Sequence, residues 1–510
     1  MAVLNSFMSW LFKTRKAQID HFKNNPIEVQ NSIFKDLIEA GLRTEFGRAF
    51  NFKNIKSYAD FASNVPVHDY ESLKPYIEKT MRGQQNVLWN TDIEWFSKSS
   101  GTTSSRSKYI PVTEESLEEC HYKGGKDLLS LYLINNPDSN LFSGKSLTIG
   151  GTLEKNPLNP TGKTRAGDIS AVIMHNLPIW AQLVRTPSLE TALMSEWEEK
   201  IEKMARETMN ENVTCIAGVP TWTIVLIQKI LEIKKAKNIL EVWPNLEVFF
   251  HGAVAFGPYR SLFQELIPSD KMRYMETYNA SEGFFGIQDQ ADSDELLLLL
   301  DYGIFYEFIP MEEWDRASPK VVPLSEVETG KNYAIVISTN GGLWRYKIGD
   351  TIKFTSTRPF RFRITGRTKH FINAFGEEVI VENAEKAIQY AAEQTDARIA
   401  NFTAAPVYFE SSGGKGAHEW IIEFQKEPSD MKRFDQLLDE KLREINSDYD
   451  AKRYKGLALM EPVIHHAPAG LFEQWMRKKG KLGGQHKVPR LSNSREYLEE
   501  ILSLNLPSEV

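Results

Sequence analysis

Cysteine is nearly missing from this chain: Cys120 and Cys215 are the only two in 510 residues. Two thiols cannot build a disulfide framework or a closed cysteine zinc site, and such sparing use suits a reducing compartment, so the sequence points to the cytoplasm. Surplus positive charge is missing too. Lys and Arg number 61 against 68 Asp and Glu, a net charge of −7. That balance argues against a nucleic-acid partner, because neutralising phosphates needs excess basic charge. No apolar run approaches the roughly 18 residues of a membrane helix; the stretch Leu296 to Leu300 reads as a buried strand. The opening MAVLNSFMSWLFKTRK places its charges after its apolar residues and shows no small-residue cleavage site. It reads as an amphipathic first helix rather than a secretory signal or a membrane anchor. Repeats of fixed period and low-complexity tracts are likewise missing.

What is present is an ordinary globular composition, 41% hydrophobic and 25% charged, in a chain long enough for two or three domains. The first 90 or so residues read as mainly helical. QNSIFKDLIEAGLRT spaces Ile33, Leu37, Ile38 and Leu42 for one helical face, and Tyr70 to Lys79 reads as another helix. From Leu147 to Ser338 strand patterns (KSLTIGG, NVTCIAGVP, LEVFFHG, LLLLLDYGIFYEFIP, KNYAIVIST) alternate with helical ones (LETALMSEWEEKIEKMARETM, TWTIVLIQKILEIKKA). Such alternation predicts an α/β domain, with some antiparallel pairing around 296–310 and 333–338. After Gly366 the pattern changes to helix 382–394, strands 399–409 and 418–425, helix 431–449, strand 457–466 and a short basic helix 470–481. The expected architecture is an N-terminal domain over 1–368 with mixed sheets and flanking helices, followed by a smaller α+β domain over 369–510.

Three segments carry candidate chemistry. FSKSSGTTSSRSKYIPVT, 96–113, gathers hydroxyls around Gly101 between strand-like flanks, with Lys108 after it. Hydroxyls and successive N–H groups can wrap a phosphate chain, and a lysine adds point charge. METYNASEGFFGIQ, 275–288, offers the flat ring of Tyr278, the hydroxyl of Ser281 and, in Glu282, a hard oxygen ligand for Mg²⁺. In STNGGLWRYKIGD the turn Asn340-Gly341-Gly342 precedes Asp350, whose carboxylate can accept from two ribose hydroxyls. Taken singly, each is also an ordinary solvated loop, turn or hairpin. Thr161-Gly162-Lys163-Thr164 imitates the end of a P-loop, but Pro157 stands where that pattern needs glycine, so it reads as a surface loop. The histidines show no metal spacing.

In this order, SSGTTSSRSK, TYNASEG, WRYKIGD and GRTKHFINAFGEEVIVENAEKAI together resemble the adenylate-forming superfamily of acyl-CoA synthetases, peptide-synthetase adenylation domains and luciferases. Within it the chain is most similar to the auxin-responsive acyl acid amido synthetases of plants and their bacterial relatives. LRTEFGRAFNF, YADFASNVPVHDYESLKPYIEKTMRGQQNVLW and GQHKVPR carry that narrower likeness along nearly the whole chain. The resemblance implies activation of a carboxylic acid by ATP, with Mg²⁺, to an acyl-adenylate, and then amide formation with an amino acid. It also implies residue roles. Ser99, Ser100, Thr102 and Thr103 would hold the β- and γ-phosphates with Lys108. Tyr278, Gly252 and Ala253 would meet the adenine, Ser281 the α-phosphate, Glu282 the magnesium and Asp350 the ribose. Lys369 would be the hinge, and Lys487 the C-terminal lysine that reaches the α-phosphate, with Lys481 its competitor. Val219, Trp222, Thr223 and the segment Cys120 to Tyr132 would border the acyl pocket.

No covalent protein intermediate is needed for that chemistry, so the lack of a Ser/His/Asp or Cys/His set is in keeping with it. The implied partners are a small carboxylic acid and an amino acid, with neither nucleic acid nor membrane; the oligomeric state stays open, monomer being favoured. An acyl-CoA or aryl-CoA ligase shares the first step and differs in its thiol acceptor. A regulatory protein that holds ATP without turnover is the reading from another class.

Overall fold

The computed structural model describes residues 14–102, 105–177, 179–291, 293–314, 316, 318–368, 371–409, 415–479 and 489–505. A twelve-stranded sheet forms the centre of the large N-terminal part. One half is parallel: Arg185–Thr186, Lys145–Thr148, Val213–Gly218, Val248–His251 and Arg273–Ala280 lie side by side in that order. The other half, from Gly283–Ile287 through Leu296–Leu298, Phe360–Arg367, Tyr346–Thr357 and Asn332–Thr339 to Ile304–Pro310, is antiparallel. The change of direction happens at Arg273–Ala280. Its neighbours in the parallel half are buried β-branched and aromatic runs, as strands covered on both faces must be. The paired strands expected around 296–310 and 333–338 are antiparallel, Ile304 to Pro310 facing Thr339 to Tyr333.

Most of the helical lead-in also forms, with helices Lys16–Asn24, Pro26–Gly41, Glu45–Ala49, Tyr58–Asn64 and Tyr70–Met81, while residues 1–13, read as an amphipathic first helix, lie outside the described residues. In Pro26–Gly41 the face with Leu37 and Ile38 is buried. Leu42, expected on that face, falls past the helix end and is 37% exposed. Buried charge ties this region to the sheet. Arg345 Nε and Nη2 donate to Glu307 at 3.0 and 2.8 Å, Nη1 donates to the carbonyls of Ala62 and Val65, and Tyr58 donates to the same carboxylate.

The smaller C-terminal part has a three-stranded sheet of Arg398–Val407, Ala417–Lys426 and Val463–Ala467. Val381–Gln394 and Met431–Ile445 supply buried residues to one core with it, and Leu471–Lys478 with Glu496–Asn505 supply another.

Three elements depart from the sequence reading. The expected helix 189–209 is broken into Leu189–Ala192 and Trp197–Thr208, with Glu196 extended and hydrogen-bonded to the Tyr454 hydroxyl at 2.6 Å. Helix 431–449 stops at Ile445 because the Asn446 side chain caps a new helix, Ser447–Arg453, by accepting from the amides of Asp448 and Tyr449. Strand 457–466 shrinks to Val463–Ala467, directly after Pro462, which has no N–H to give a ladder.

Candidate active site

Side chains in open α/β sheets meet ligands beyond the carboxyl ends of parallel strands, where strand direction or order changes. A cleft of about 1240 Å³ lies there. Ile149 to Gly151 follow Lys145–Thr148, Val219 follows Val213–Gly218, Ala253 follows Val248–His251, and Ser281 with Glu282 follow Arg273–Ala280; all of them line it. The opposite wall comes from the C-terminal part, with Asn373, Gly376, Glu378, Tyr408, Ser447, Asp448 and Lys452.

The serine-rich segment forms a hairpin, Trp95–Thr102 against Ser105–Val112, in which Ser99 sits opposite Lys108. Both residues line the cleft. Ser97 donates to Ser281 at 2.8 Å and so anchors the hairpin to the end of Arg273–Ala280. Ser107 meets Ser447 of the C-terminal part at 3.2 Å. Lys98 closes on Glu154 at 2.8 Å along one side.

Asp350 is held at both oxygens. It lies opposite Arg367 on neighbouring strands, and Arg367 Nε donates to its Oδ1 at 2.6 Å. The Tyr278 hydroxyl donates to Oδ2. Arg367 also reaches Glu378 at 3.3 Å. Each oxygen keeps a further lone pair for a ligand hydroxyl. Burial pushes the Glu282 carboxyl up to about 7; Lys108 pulls it down, while Asp350 and Glu378 add to the rise. Glu276, two residues before Tyr278 and so on the same strand face, is raised to about 7 by burial and by Asp294. Asp448 is likewise pushed up to about 7, by burial first and then by Asp168 and Glu378.

Of the residues expected from sequence, the cleft thus gathers Ser99, Lys108, Ala253, Tyr278, Ser281, Glu282, Asp350, Val219 and Trp222. Ala253 adopts φ +71°, and its carbonyl accepts from Asn373 at 3.1 Å. Gly252 is not in the lining; a Cβ there would stand 2.5 Å from the Thr277 carbonyl oxygen, so glycine permits close approach to the next strand. Thr223 is fully buried and returns its hydroxyl to the Val219 carbonyl at 3.0 Å, a packing role. No residue from Cys120 to Tyr132 lines this cleft. Instead the Cys120 sulfur accepts from Phe284 N, and His121 faces Asn279 at 3.2 Å. Ser100 and Thr102 lie in the first hairpin strand. The side chains of these two residues, all of Thr103, the hinge candidate Lys369 and both lysine candidates, Lys487 and Lys481, lie outside the described residues. The sequence reading missed Arg367, Glu276, Glu378, Asp448 and Lys452. Period-two spacing from Tyr278 was a signal for Glu276; the others come from distant segments that only the fold brings in.

Of the P-loop imitation, Thr161, Gly162 and Lys163 form an exposed turn, as expected, whereas Thr164 is buried and donates its hydroxyl to the Met81 carbonyl at 3.0 Å. Both cysteines are free and buried. Among the described residues no cluster of three His, Cys, Asp or Glu could hold a metal, and no helix is long and apolar enough to cross a membrane.

Comparison with known proteins extends this picture. Family models for the GH3 family N-terminal, central and C-terminal domains match residues 15–272, 297–367 and 382–496 in that order. The indole-3-acetic acid-amido synthetase GH3.3 of Arabidopsis thaliana is 22% identical, over 94% of this chain and 92% of its own length. The 4-substituted benzoates-glutamate ligase GH3.12 of the same plant is 22% identical, over 96% of both. Among solved structures, the AtGH3.15 acyl acid amido synthetase in complex with 2,4-DB superposes with a TM-score of 0.61 at 18% identity, over 96% of each chain. A 2-hydroxyisobutyryl-CoA ligase in its thioesterification state gives 0.58 at 13% identity, over 94% and 92%. These structures share the fold of a large N-terminal and a smaller C-terminal domain. With the N-terminal model alone matching half of the sequence and the other two following it in chain order, the protein belongs to the GH3 family.

Proposed function

We propose that this chain is an ATP-dependent acyl acid amido synthetase, which joins a small carboxylic acid to an amino acid through an acyl-adenylate. The observation that carries this reading is the doubly held Asp350 in the same cleft as Ser281, Glu282 and the Ser99–Lys108 hairpin. Asp350 receives the ribose hydroxyls, and its two fixed partners keep the carboxylate oriented. Tyr278 and Ala253 border the adenine. Ser281 meets the α-phosphate, while Ser99, Ser100, Thr102, Thr103 and Lys108 bind the outer phosphates.

A carboxylate is a poor electrophile because its leaving group is oxide. Attack on the α-phosphate converts that oxide into AMP and releases pyrophosphate. Lys487 supplies the cation at this step, offsetting charge that develops on phosphorus. Glu282 fits a Mg²⁺ ligand: it is a hard oxygen donor in a cleft crowded by Asp350 and Glu378, and one carboxylate plus substrate phosphates is a common Mg²⁺ set. When bound, the ion neutralises phosphate charge. Val219 and Trp222 flank the acyl group. The chain divides near 368/369, and Lys369 is the hinge about which the C-terminal part turns between the two half-reactions. Two buried, free cysteines suit the cytoplasm.

The test is pyrophosphate release over a panel of carboxylic acids, followed by AMP release with amino acids as acceptors. Acceleration by coenzyme A instead would assign the chain to the acyl-CoA ligases.

A further inference from the structure

One wall of the cleft has no part in the nucleotide contacts above. Trp197 and Trp222 stack there with ring centroids 3.8 Å apart and planes 5° from parallel. Lys200 Nζ lies 4.4 Å from the Trp197 centroid and Lys452 Nζ lies 4.7 Å from the Trp222 centroid. The two lysines differ in one respect. Lys200 is fully buried and donates to the carbonyls of Gly150 and Gly151 at 2.5 and 3.0 Å, so it holds the loop. Lys452 lines the cleft and is only 8% exposed, and its ammonium has neither a hydrogen bond nor an ion pair among the described residues. An ammonium so far removed from water and resting on an indole face has donors left for an anion.

Asp448 stands one helical turn earlier on Ser447–Arg453 and also lines the cleft. Residues four apart share a helix face, yet no ion pair joins these two among the described residues. Asp448 offers oxygens for a cation beside a lysine that offers N–H groups for an anion. Asp168, whose Oδ2 accepts from Thr152 N at 2.6 Å, adds negative charge on the same side. Trp222 follows Val213–Gly218, two strands away from Arg273–Ala280 with its Tyr278. At about 4.8 Å per strand that is on the order of 10 Å from the ribose site.

We infer that Lys452 and Asp448 form the acceptor subsite, Lys452 binding the α-carboxylate of a free amino acid and Asp448 its ammonium group. This rests on the amido synthetase reading and adds which residues recognise the second substrate. The bound carboxylate gives the Lys452 ammonium, already in the field of Asp448, Glu377 and Asp168, a directly hydrogen-bonded partner, and Trp197 and Ile149 leave an apolar flank for the acceptor side chain.

The experiment screens the proteinogenic amino acids, then compares the best of them with its carboxamide, in which the carboxylate is neutral. The wild-type chain is expected to use the carboxamide about tenfold or more less efficiently. Lys452→Gln is expected to raise KM for the amino acid about 10- to 100-fold, the effect of losing one charged hydrogen bond, and to abolish the preference over the carboxamide. Lys452→Arg keeps that preference, and Asp448→Asn weakens both acceptors alike. Acid-dependent pyrophosphate release by Lys452→Gln stays within about threefold of wild type. Equal use of amino acid and carboxamide by the wild-type chain overturns the subsite, even if the variants fail to fold. So does a rise in KM for ATP with loss of pyrophosphate release in Lys452→Gln, which would give this cation to the nucleotide. No acid-dependent pyrophosphate release in the wild type sinks the ligase reading itself.

Discussion

Tyr278 and Asp350 are 72 positions apart in sequence, yet the phenol donates to the carboxylate across the floor of the cleft. The bond joins the strand at which the sheet reverses direction to one in its antiparallel half. Arg367, paired with Asp350 in the ladder, holds the other oxygen.

Asp350→Ala should therefore weaken ATP binding more than it slows chemistry. A hydrogen bond to a charged group contributes roughly 1.5–3 kcal/mol, so KM for ATP should rise about 10- to 150-fold. Tyr278→Phe keeps the ring and removes one tether, and a rise of about 2- to 10-fold is expected. Steady-state kinetics in ATP check both; an unchanged KM in Asp350→Ala would remove it from the ribose role.

The pair Arg345–Glu307 is a stability element away from the cleft, with side chains 4% and 0% exposed. Arg345→Ala leaves a buried carboxylate without its main counter-ion and should cost roughly 3–5 kcal/mol. Replacing both partners, Arg345→Met with Glu307→Leu, should recover much of that loss. Urea denaturation of the three proteins is the measurement.

Three cleft carboxyls should make stability fall as pH rises. Glu276, Glu282 and Asp448 are all held up to about 7 in the folded chain, well above their ordinary values. Between about pH 5 and 7 the folded state keeps protons that the unfolded state has lost, so unfolding becomes easier with rising pH until all three groups have ionised. Burial is the leading cause at each position. Melting curves of the ligand-free protein across this range should show the slope, and Glu276→Gln should flatten it. A slope unchanged by that substitution would mean Glu276 ionises normally.

Much of this fold could be read from residue pattern alone, since Val213–Gly218, Val248–His251 and Ile304–Pro310 are β-rich runs and Asn340-Gly341-Gly342 marks a turn. The broken helices could not. Ser195 and Glu196 continue a helical pattern, and the chain leaves it there to border the cleft and meet Tyr454. Asn446 reads as a helix interior or a cap equally well until its amide is seen donating to the Glu377 and Glu378 carbonyls. The site divides in the same way. Ser99, Tyr278, Glu282 and Asp350 lie in local motifs that the sequence alone singles out as candidates, and the cleft gathers all four. Asp448 and Lys452 sit in a charged helix that looks like any solvated face, and only tertiary packing turns them inward.

Lys487→Ala should slow adenylate formation by roughly 10²- to 10³-fold, the usual loss for one preorganised donor at a developing charge, while Lys481→Ala should do far less. Single-turnover pyrophosphate release separates them. The reverse order of effects would move the adenylation role to Lys481.

The most direct measurement is AMP release after a carboxylic acid that supports pyrophosphate release has been found. Amino acids and coenzyme A are then added separately to the loaded enzyme. The account predicts that an amino acid accelerates AMP release and appears in an amide product, with coenzyme A inert. Acceleration by coenzyme A with no amide formed, or ATP binding without any acid-dependent pyrophosphate release, would contradict it.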